Sequence, residues 1–172
     1  ELVTALNRAG GGSLTLRIRQ GDPKAVEEAL SALKQPGSDA PRLVEIVQTF
    51  GEVRQPECIP VLLELLETSD SEALQSAVLT ALQSYDEDRI AAGVLERYAT
   101  FSEDVLSVAQ TLLVSRPQWT QMFLEAIDAD DIAADSVPLD VVRKMTIHSG
   151  DGIASLIAKH WQNVDGASTG EM

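Results

Sequence analysis

The chain has 172 residues and is poor in cysteine, in aromatic residues and in long apolar runs. Its single cysteine, Cys58, excludes an internal disulfide and a cysteine-based metal cluster. Aromatic residues make up only 4% of the chain, so the core has to consist of leucine, valine, isoleucine and alanine, which favours close helix packing. No apolar run approaches the ~20 residues that a membrane span requires, and we therefore predict no direct membrane insertion.

Basic residues are also scarce, and they are scarcest in the middle of the chain. The formal net charge is −14. Residues 55–88 contain no lysine or arginine against eight acidic residues, and residues 98–142 contain only Arg116 against eight more. Such a surface repels phosphate backbones, which predicts that nucleic acid is not a partner. The same acidic surplus is also consistent with a simple solvated face.

The sequence is rich in leucines that occur in two dense groups separated by a short polar turn, in the stretch "PECIPVLLELLETSDSEALQSAVLTALQSY" (residues 56–85). The apolar positions of the first group have the spacing i, i+3, i+4, i+7 of one helix face: Ile59, Leu62, Leu63 and Leu66. Those of the second group share the helical period: Leu74, Val78, Ala81 and Leu82. Serine and aspartate in the turn "TSDSE" are candidate N-caps, so both groups are predicted to be helices.

This two-helix pattern recurs along the whole chain. The pair Leu62–Leu63 has counterparts at intervals of 33, 32, 29 and 33 residues: Ala29–Leu30, Val94–Leu95, Phe123–Leu124 and Leu156–Ile157. The partner helices repeat as well, through Leu43, Leu74, Val105 and Val141. The periodicity predicts five helix pairs, at about 12–20 and 23–35, 39–52 and 56–68, 71–85 and 87–99, 102–115 and 117–128, and 138–148 and 151–164. It is typical of an all-α solenoid.

Three regions follow from this pattern. Residues 1–12 are predicted to be the end of a preceding helix plus a glycine linker, residues 13–164 the repeat domain, and residues 165–172 a C-terminal linker. Because the sequence starts at Glu1 inside a helical pattern, we expect the chain to be excised from a longer protein.

The helix pairs resemble short HEAT repeats. The resemblance rests on "LQSAVLTALQSYDED" as a first helix and "PECIPVLLELLETSD" as a second helix, and it is best over residues 40–85. It implies a right-handed α-solenoid of about five helix pairs, an ARM-type superhelix whose second helices line the concave side.

The C-terminal stretch, about residues 137–172, carries a further resemblance. The sequence "LDVVRKMTIHSGDGIASLIAKHWQNVDGASTGEM" is similar to a segment of large planctomycete-type membrane-bound dehydrogenases. In those proteins a propeller-like domain precedes a HEAT-repeat region and a c-type haem domain. The resemblance implies that this chain is the repeat spacer, in the periplasm or cell envelope. The chain contains no C-x-x-C-H motif, so we predict no haem or other cofactor on its own residues.

Residues of possible chemical function are few, and for each we predict a structural role. The two histidines, His148 and His160, are expected at helix ends or in packing, because no supporting ligands lie at metal-binding spacing. The acidic stretch "DADDIAAD" (128–135) lacks the glycine and the final glutamate of a calcium loop. Trp119 and Trp161 are expected to pack, and Cys58 to be a buried, inert thiol. No catalytic constellation is present, which predicts a protein that is not an enzyme.

One surface feature repeats with the helix pairs. Glu64, Glu96 and Glu125 occupy the same position of three successive second helices, about 10 Å apart if neighbouring helices pack at ordinary distances. They predict a surface for a protein or flanking domain with a basic patch. The alternative is that glutamate is simply a good exposed helix residue.

Two functions remain open. The leading hypothesis is a non-catalytic scaffold or spacer that makes protein–protein or interdomain contacts in a larger protein. The alternative is a ligand-binding or lyase-like HEAT-repeat enzyme of the bilin-lyase type. We also predict that Leu63 and Leu95 are buried between stacked repeats, and that Ser31 is exposed.

Overall fold

The computed structural model describes residues 13–35, 39–148 and 150–162, and within these ranges the chain is all-helical, with no strand. Ten α-helices follow one another: α1 (Leu14–Arg19), α2 (Pro23–Leu33), α3 (Ala40–Val53), α4 (Ile59–Thr68), α5 (Glu72–Leu82), α6 (Asp88–Glu96), α7 (Glu103–Leu113), α8 (Pro117–Asp128), α9 (Leu139–Met145) and α10 (Asp151–His160). Short 3₁₀ turns lie at Pro56–Cys58, Tyr98–Thr100 and Ala134–Ser136.

The all-α class is confirmed, and each of the ten predicted helices is present within a few residues of its expected ends. The largest differences are at helix ends. The helix expected from residue 56 begins with a 3₁₀ turn, and the one expected to reach residue 85 ends at Leu82. The predictions for residues 1–12 and 165–172 lie outside the described residues.

The helix ends follow from local sequence chemistry. The Ser13 and Asp22 side chains accept hydrogen bonds from the backbone N–H groups of Leu16 and Lys24 and so cap α1 and α2. Of the serine and aspartate residues in the turn before α5, Ser71 is the N-cap, since its hydroxyl accepts a hydrogen bond from the Leu74 N–H at 3.4 Å. Helices α2, α3, α4 and α8 carry a proline in their first two positions, where the missing N–H costs nothing.

The chain divides into two compact units, Glu1–Asp86 and Glu87–Met172. The boundary falls between α5 and α6, inside the third predicted helix pair. Each unit has its own aliphatic core.

In the first unit, α3 is the central helix and packs most extensively against α5 and α1. The approach of α3 to α5 depends on small residues: a Cβ added at Gly51 would lie 3.0 Å from the Ala81 Cα. The second helices of this unit, α2 and α4, meet over fewer residues. In this unit the layer of first helices (α1, α3 and α5) is therefore packed more extensively than the layer of second helices (α2 and α4).

In the second unit, α8 is the central helix and packs most extensively against α10 and α6. The core here contains large aromatic residues, although Trp161 is only half-buried. Trp119 and Phe123 are fully buried on α8, and the Phe123 ring lies 5.5 Å from the Tyr98 ring. The buried Tyr98 hydroxyl accepts a hydrogen bond from the Gln110 amide at 2.8 Å.

Most of the repeated apolar positions are buried, but Leu30 and Leu156 are half-buried. The first-helix positions Leu43, Leu74, Val105 and Val141 are all core residues. Leu63 and Leu95, however, are only half-buried, and the prediction that they are buried between repeats is wrong. The fully buried residues are their neighbours Leu62 and Val94.

The burial pattern of α4 explains this error. Besides Leu62, the helix buries Val61 and Leu65, so its buried face is wider than the predicted stripe and is centred away from Leu63. Ser31, expected to be exposed, is exposed.

Candidate functional site

The three repeat glutamates are all on the surface. Glu64 lies in the middle of α4, Glu96 ends α6, and Glu125 lies in α8. Each is exposed. Glu64 belongs to the first unit and the other two belong to the second, where α6 and α8 pack against each other.

The surroundings of the three carboxylates differ. Glu96 is 3.4 Å from the Arg97 guanidinium, which also donates to the Gly93 carbonyl oxygen at 2.9 Å. Glu125 accepts a hydrogen bond from the Gln121 amide one turn earlier, at 2.8 Å. Glu64 has no ion pair within the part of the chain that the structure describes. Its charge is therefore the least compensated of the three.

Glu64 also lines a surface cleft between the ends of α2 and α4, which we call the α2–α4 cleft. The cleft has a volume of about 460 Å³. Its floor is formed by five aliphatic side chains that are 3–7% exposed: Leu33, Leu43, Val61, Leu65 and Leu74. Its rim is polar and consists of Lys34, Gln35, Glu64, Thr68, Ser69, Asp70 and Ser71. An apolar floor with a polar rim is the usual composition of a binding groove.

The cleft lies beside the less extensively packed pair of second helices, since α2 and α4 meet over fewer residues than α3 and α5 do. On the α4 side of the cleft the turn after the helix is anchored, since the Gln75 amide donates to the carbonyl oxygens of Ser69 (2.8 Å) and Leu66 (3.3 Å).

The charges on the rim are uncompensated. Among the described residues, Glu64, Asp70 and Lys34 form no ion pair with one another or with any other side chain. The C-terminal ends of α2 and α4 and the N-terminal ends of α3 and α5 all border the cleft, so their helix dipoles offset one another. The two carboxylates alone make the α4 side of the cleft acidic, with Lys34 on the opposite rim.

Both histidines make contacts at helix ends. The His148 Nε2 atom lies 2.7 Å from the carbonyl oxygen of Val114, which follows α7. His160, at the end of α10, lies with its Nε2 atom 2.9 Å from the Asp128 carboxylate, and Lys159 pairs with the same oxygen. Hydrogen bonds from Lys159 and then from His160 lower the pKa of Asp128. These residues connect α10 to the end of α8.

The only cysteine takes part in a buried hydrogen-bond group. The Cys58 thiol donates to the Tyr85 hydroxyl at 3.2 Å, and that hydroxyl donates to the Phe50 carbonyl oxygen at 2.5 Å and accepts from the Gln55 N–H at 3.1 Å. Burial raises the pKa of Tyr85 well above its usual value. The group links the end of α3 to the segments before α4 and after α5.

The acidic stretch 128–135 forms a turn rather than a binding loop. Asp130 adopts a left-handed backbone conformation with φ of 63°, and a 3₁₀ turn begins at Ala134. In the described part of the chain, no group of three or more histidine, cysteine, aspartate or glutamate side chains is arranged to hold a metal ion. None of the described helices combines the length and the apolar character needed to cross a membrane.

Sequence reasoning found Glu64 but missed Asp70 and Asp128. The sequence indicates Asp70 only as a candidate helix cap, and nothing in it shows that Asp70 borders a cleft. Asp128 does leave a signal: it lies 31 and 32 residues before Lys159 and His160, one repeat length away.

Comparison of this chain with known protein families, with curated proteins and with solved structures found no match.

Proposed function

We propose that the ten helices form a HEAT-like α-solenoid. Two observations support this arrangement. Equivalent positions of successive helix pairs are buried in both units, as expected when each pair covers the next. Within each unit, helices that are two apart in the chain pack on each other, α1–α3–α5 in the first and α6–α8–α10 in the second.

On this scaffold we propose a non-catalytic role: a repeat protein or spacer that makes protein–protein or interdomain contacts through an acidic surface. The observation that carries the proposal is the exposure of a glutamate at the same position of α4, α6 and α8. Helices α4 and α8 lie in the stretches of the sequence that are poorest in lysine and arginine, whereas α6 contains Arg89 and is followed by Arg97. A partner with a basic patch would be attracted mainly electrostatically.

The wider context is also part of the proposal. The resemblance of the C-terminal stretch suggests a spacer inside a large redox protein of the periplasm or cell envelope. The open reading frame that encodes the chain tests this idea directly. A C-x-x-C-H motif shortly downstream supports it, and a stop codon after Met172 with no further domain contradicts it.

The acidic surface is tested by charge reversal. The wild-type chain and the triple variant Glu64→Lys, Glu96→Lys, Glu125→Lys are compared as baits for the neighbouring domains encoded with the chain and for basic proteins of the same cell. We expect capture by the wild type at ~0.05 M salt, weaker capture at ~0.5 M salt, and loss of capture by the variant. Undiminished capture by a folded triple variant would contradict the proposal.

A ligand-binding or lyase-like function is the second candidate, and the α2–α4 cleft is the observation that favours it. The cleft has the volume of a small-molecule site. None of its described lining residues is aromatic, however, so no ring is available to stack on a tetrapyrrole. Incubation with a bilin or with haem distinguishes the candidates, since a bound tetrapyrrole shifts its visible absorbance band.

A further inference from the structure

The α2–α4 cleft combines two properties that select for one kind of occupant. Its floor is aliphatic, and the buried side chains that form it keep a small exposed fraction toward the cleft. One wall carries two carboxylates, Glu64 and Asp70, without partner cations among the described residues. An occupant has to bring both apolar surface and positive charge.

The local sequence does not supply that charge. Residues 55–88, which include α4 and α5, contain no lysine or arginine. Lys34, on the α2 side, is the only cation among the described lining residues, and it forms no ion pair with either carboxylate. The carboxylates are therefore available to a cation from outside the chain.

We propose that the α2–α4 cleft binds an extended segment of a partner protein in which lysine or arginine residues flank apolar residues. The apolar side chains would cover the floor at Val61 and Leu65, and the cation would pair with Glu64 and Asp70. This inference rests on the proposed function, because it names the part of the basic partner that the first unit would recognise.

The shape of the cleft favours an extended peptide. A second depression of about 320 Å³ shares the lining residues Gln35 and Leu43, and its other described lining residues include Glu28, Asp39 and Arg42. Because the two depressions share lining residues, an occupant longer than one side chain can extend from one to the other. Hydroxyls of Thr68 and Ser71 on the rim add hydrogen-bonding groups for a peptide backbone.

The test measures fluorescence anisotropy of three labelled, end-capped peptides, GKLLKG, GELLEG and GKSSKG, with the whole chain at ~0.15 M salt. We expect GKLLKG to bind more tightly than both others. The double variant Glu64→Gln, Asp70→Asn should lower its affinity by about 2- to 30-fold, the range for two exposed ion pairs. Lys34→Gln should strengthen binding, because it removes a cation that repels the basic peptide. The matched control is the double variant Glu103→Gln, Asp104→Asn, an exposed acidic pair of the second unit, which should bind like the wild type.

Several outcomes would overturn the inference. Equal binding of GKLLKG by the wild type and the double variant shows that the carboxylates do not contact the peptide. Equal binding of GKSSKG shows a purely electrostatic surface that does not use the apolar floor. If only a neutral apolar dye binds, and the peptides do not compete with it, the cleft is a small-molecule site. Circular dichroism checks that the variants fold, which we expect because both substituted residues are exposed.

The same variants separate this inference from the proposed function. If the double variant loses peptide binding but still captures the basic partner, the cleft binds peptides and the partner uses another surface. If charge reversal at Glu96 and Glu125 alone abolishes partner capture while the double variant captures normally, the scaffold proposal stands and the cleft inference fails for that partner. If no variant alters capture, the acidic surface does not bind the partner and the proposed function fails, whereas the peptide measurement still decides whether the cleft binds a basic segment.

Discussion

At the scale of single residues, the carboxylate of Asp128 joins two helices of the second unit. It ends α8 and pairs with Lys159 and His160, which end α10. The hydrogen bond from Lys159, followed by that from His160, lowers the pKa of this carboxyl. A carboxyl with a lowered pKa in the folded state contributes stability above its unfolded pKa of about 3.9 and loses it as the pH falls further.

We therefore predict that Asp128→Asn lowers the unfolding midpoint of the second unit at pH 7, and that this difference from the wild type begins to shrink near pH 4 and is lost as the pH falls through the lowered pKa of the carboxyl. Urea unfolding followed by tryptophan fluorescence between pH 3 and pH 7 measures it, because both tryptophans lie in the second unit. The control is Asp131→Asn, an exposed residue of the following turn, which should change little at any pH. A difference that persists undiminished at pH 3 would contradict the ion-pair explanation.

The first unit offers a contrasting residue in Tyr85. Its hydroxyl satisfies the Gln55 N–H, which has no other partner in the described structure, and it also binds the Phe50 carbonyl oxygen and the Cys58 thiol. Such a buried group needs all of its partners, because an unsatisfied buried donor costs about 1–3 kcal/mol. The hydrogen bond with Tyr85 also explains why Cys58 is a structural residue rather than an exposed reactive thiol.

At the scale of helices, the contact between α3 and α5 depends on Gly51. In an isolated helix, alanine is about 1 kcal/mol more favourable than glycine, so local propensity alone would make Gly51→Ala stabilising. Packing opposes this, because the added Cβ would lie 3.0 Å from the Ala81 Cα, and a backbone atom cannot move aside without separating the helices. The packing term should be the larger one.

We predict that Gly51→Ala destabilises the protein by up to about 2 kcal/mol, because an overpacking cost of about 1–3 kcal/mol is offset by about 1 kcal/mol of helix propensity. Urea unfolding followed by circular dichroism measures the change. Gly152→Ala on α10 is the matched control, because its added Cβ would meet only the end of the flexible Gln121 side chain, at 3.1 Å. The control should be neutral or slightly stabilising. A stabilising Gly51→Ala would mean that α3 and α5 can move apart at no cost.

At the scale of the whole molecule, the division into two units has a consequence for unfolding. In repeat proteins a substitution acts mainly on its own repeat and its neighbours. Leu62 is fully buried in the first unit, whereas its neighbour Leu63 is half-buried. Circular dichroism reports both units, but tryptophan fluorescence reports only the second.

We predict that Leu62→Ala destabilises the first unit by about 2–5 kcal/mol and shifts the circular dichroism transition more than the fluorescence transition. Leu63→Ala serves as the size-matched control and should cost less than about 2 kcal/mol. Equal effects of the two substitutions would show that Leu63 is as important to the core as Leu62. Coincident shifts in both signals would show that the chain unfolds as one cooperative body.

The sequence alone determined the ten helices and the positions that repeat between them. Helix periodicity, N-capping by Ser13 and Ser71, and proline at helix starts act over a few residues, so they can be read without knowing the fold. The exposure of Glu64, Glu96 and Glu125 followed from the same periodicity. For these features the physical causes are local.

Only the tertiary structure decided that Leu62 rather than Leu63 is buried, where the cleft lies and which charges meet. Leu62 rather than Leu63 faces the core because the burial of Val61 and Leu65 widens the buried face of α4 on the other side. The α2–α4 cleft is lined by the ends of four helices, and the contact of Asp128 with His160 depends on the stacking of α10 on α8. These properties come from contacts between residues about 30 positions apart. A periodic sequence pattern shows which positions are equivalent, but it does not show how closely the equivalent helices pack.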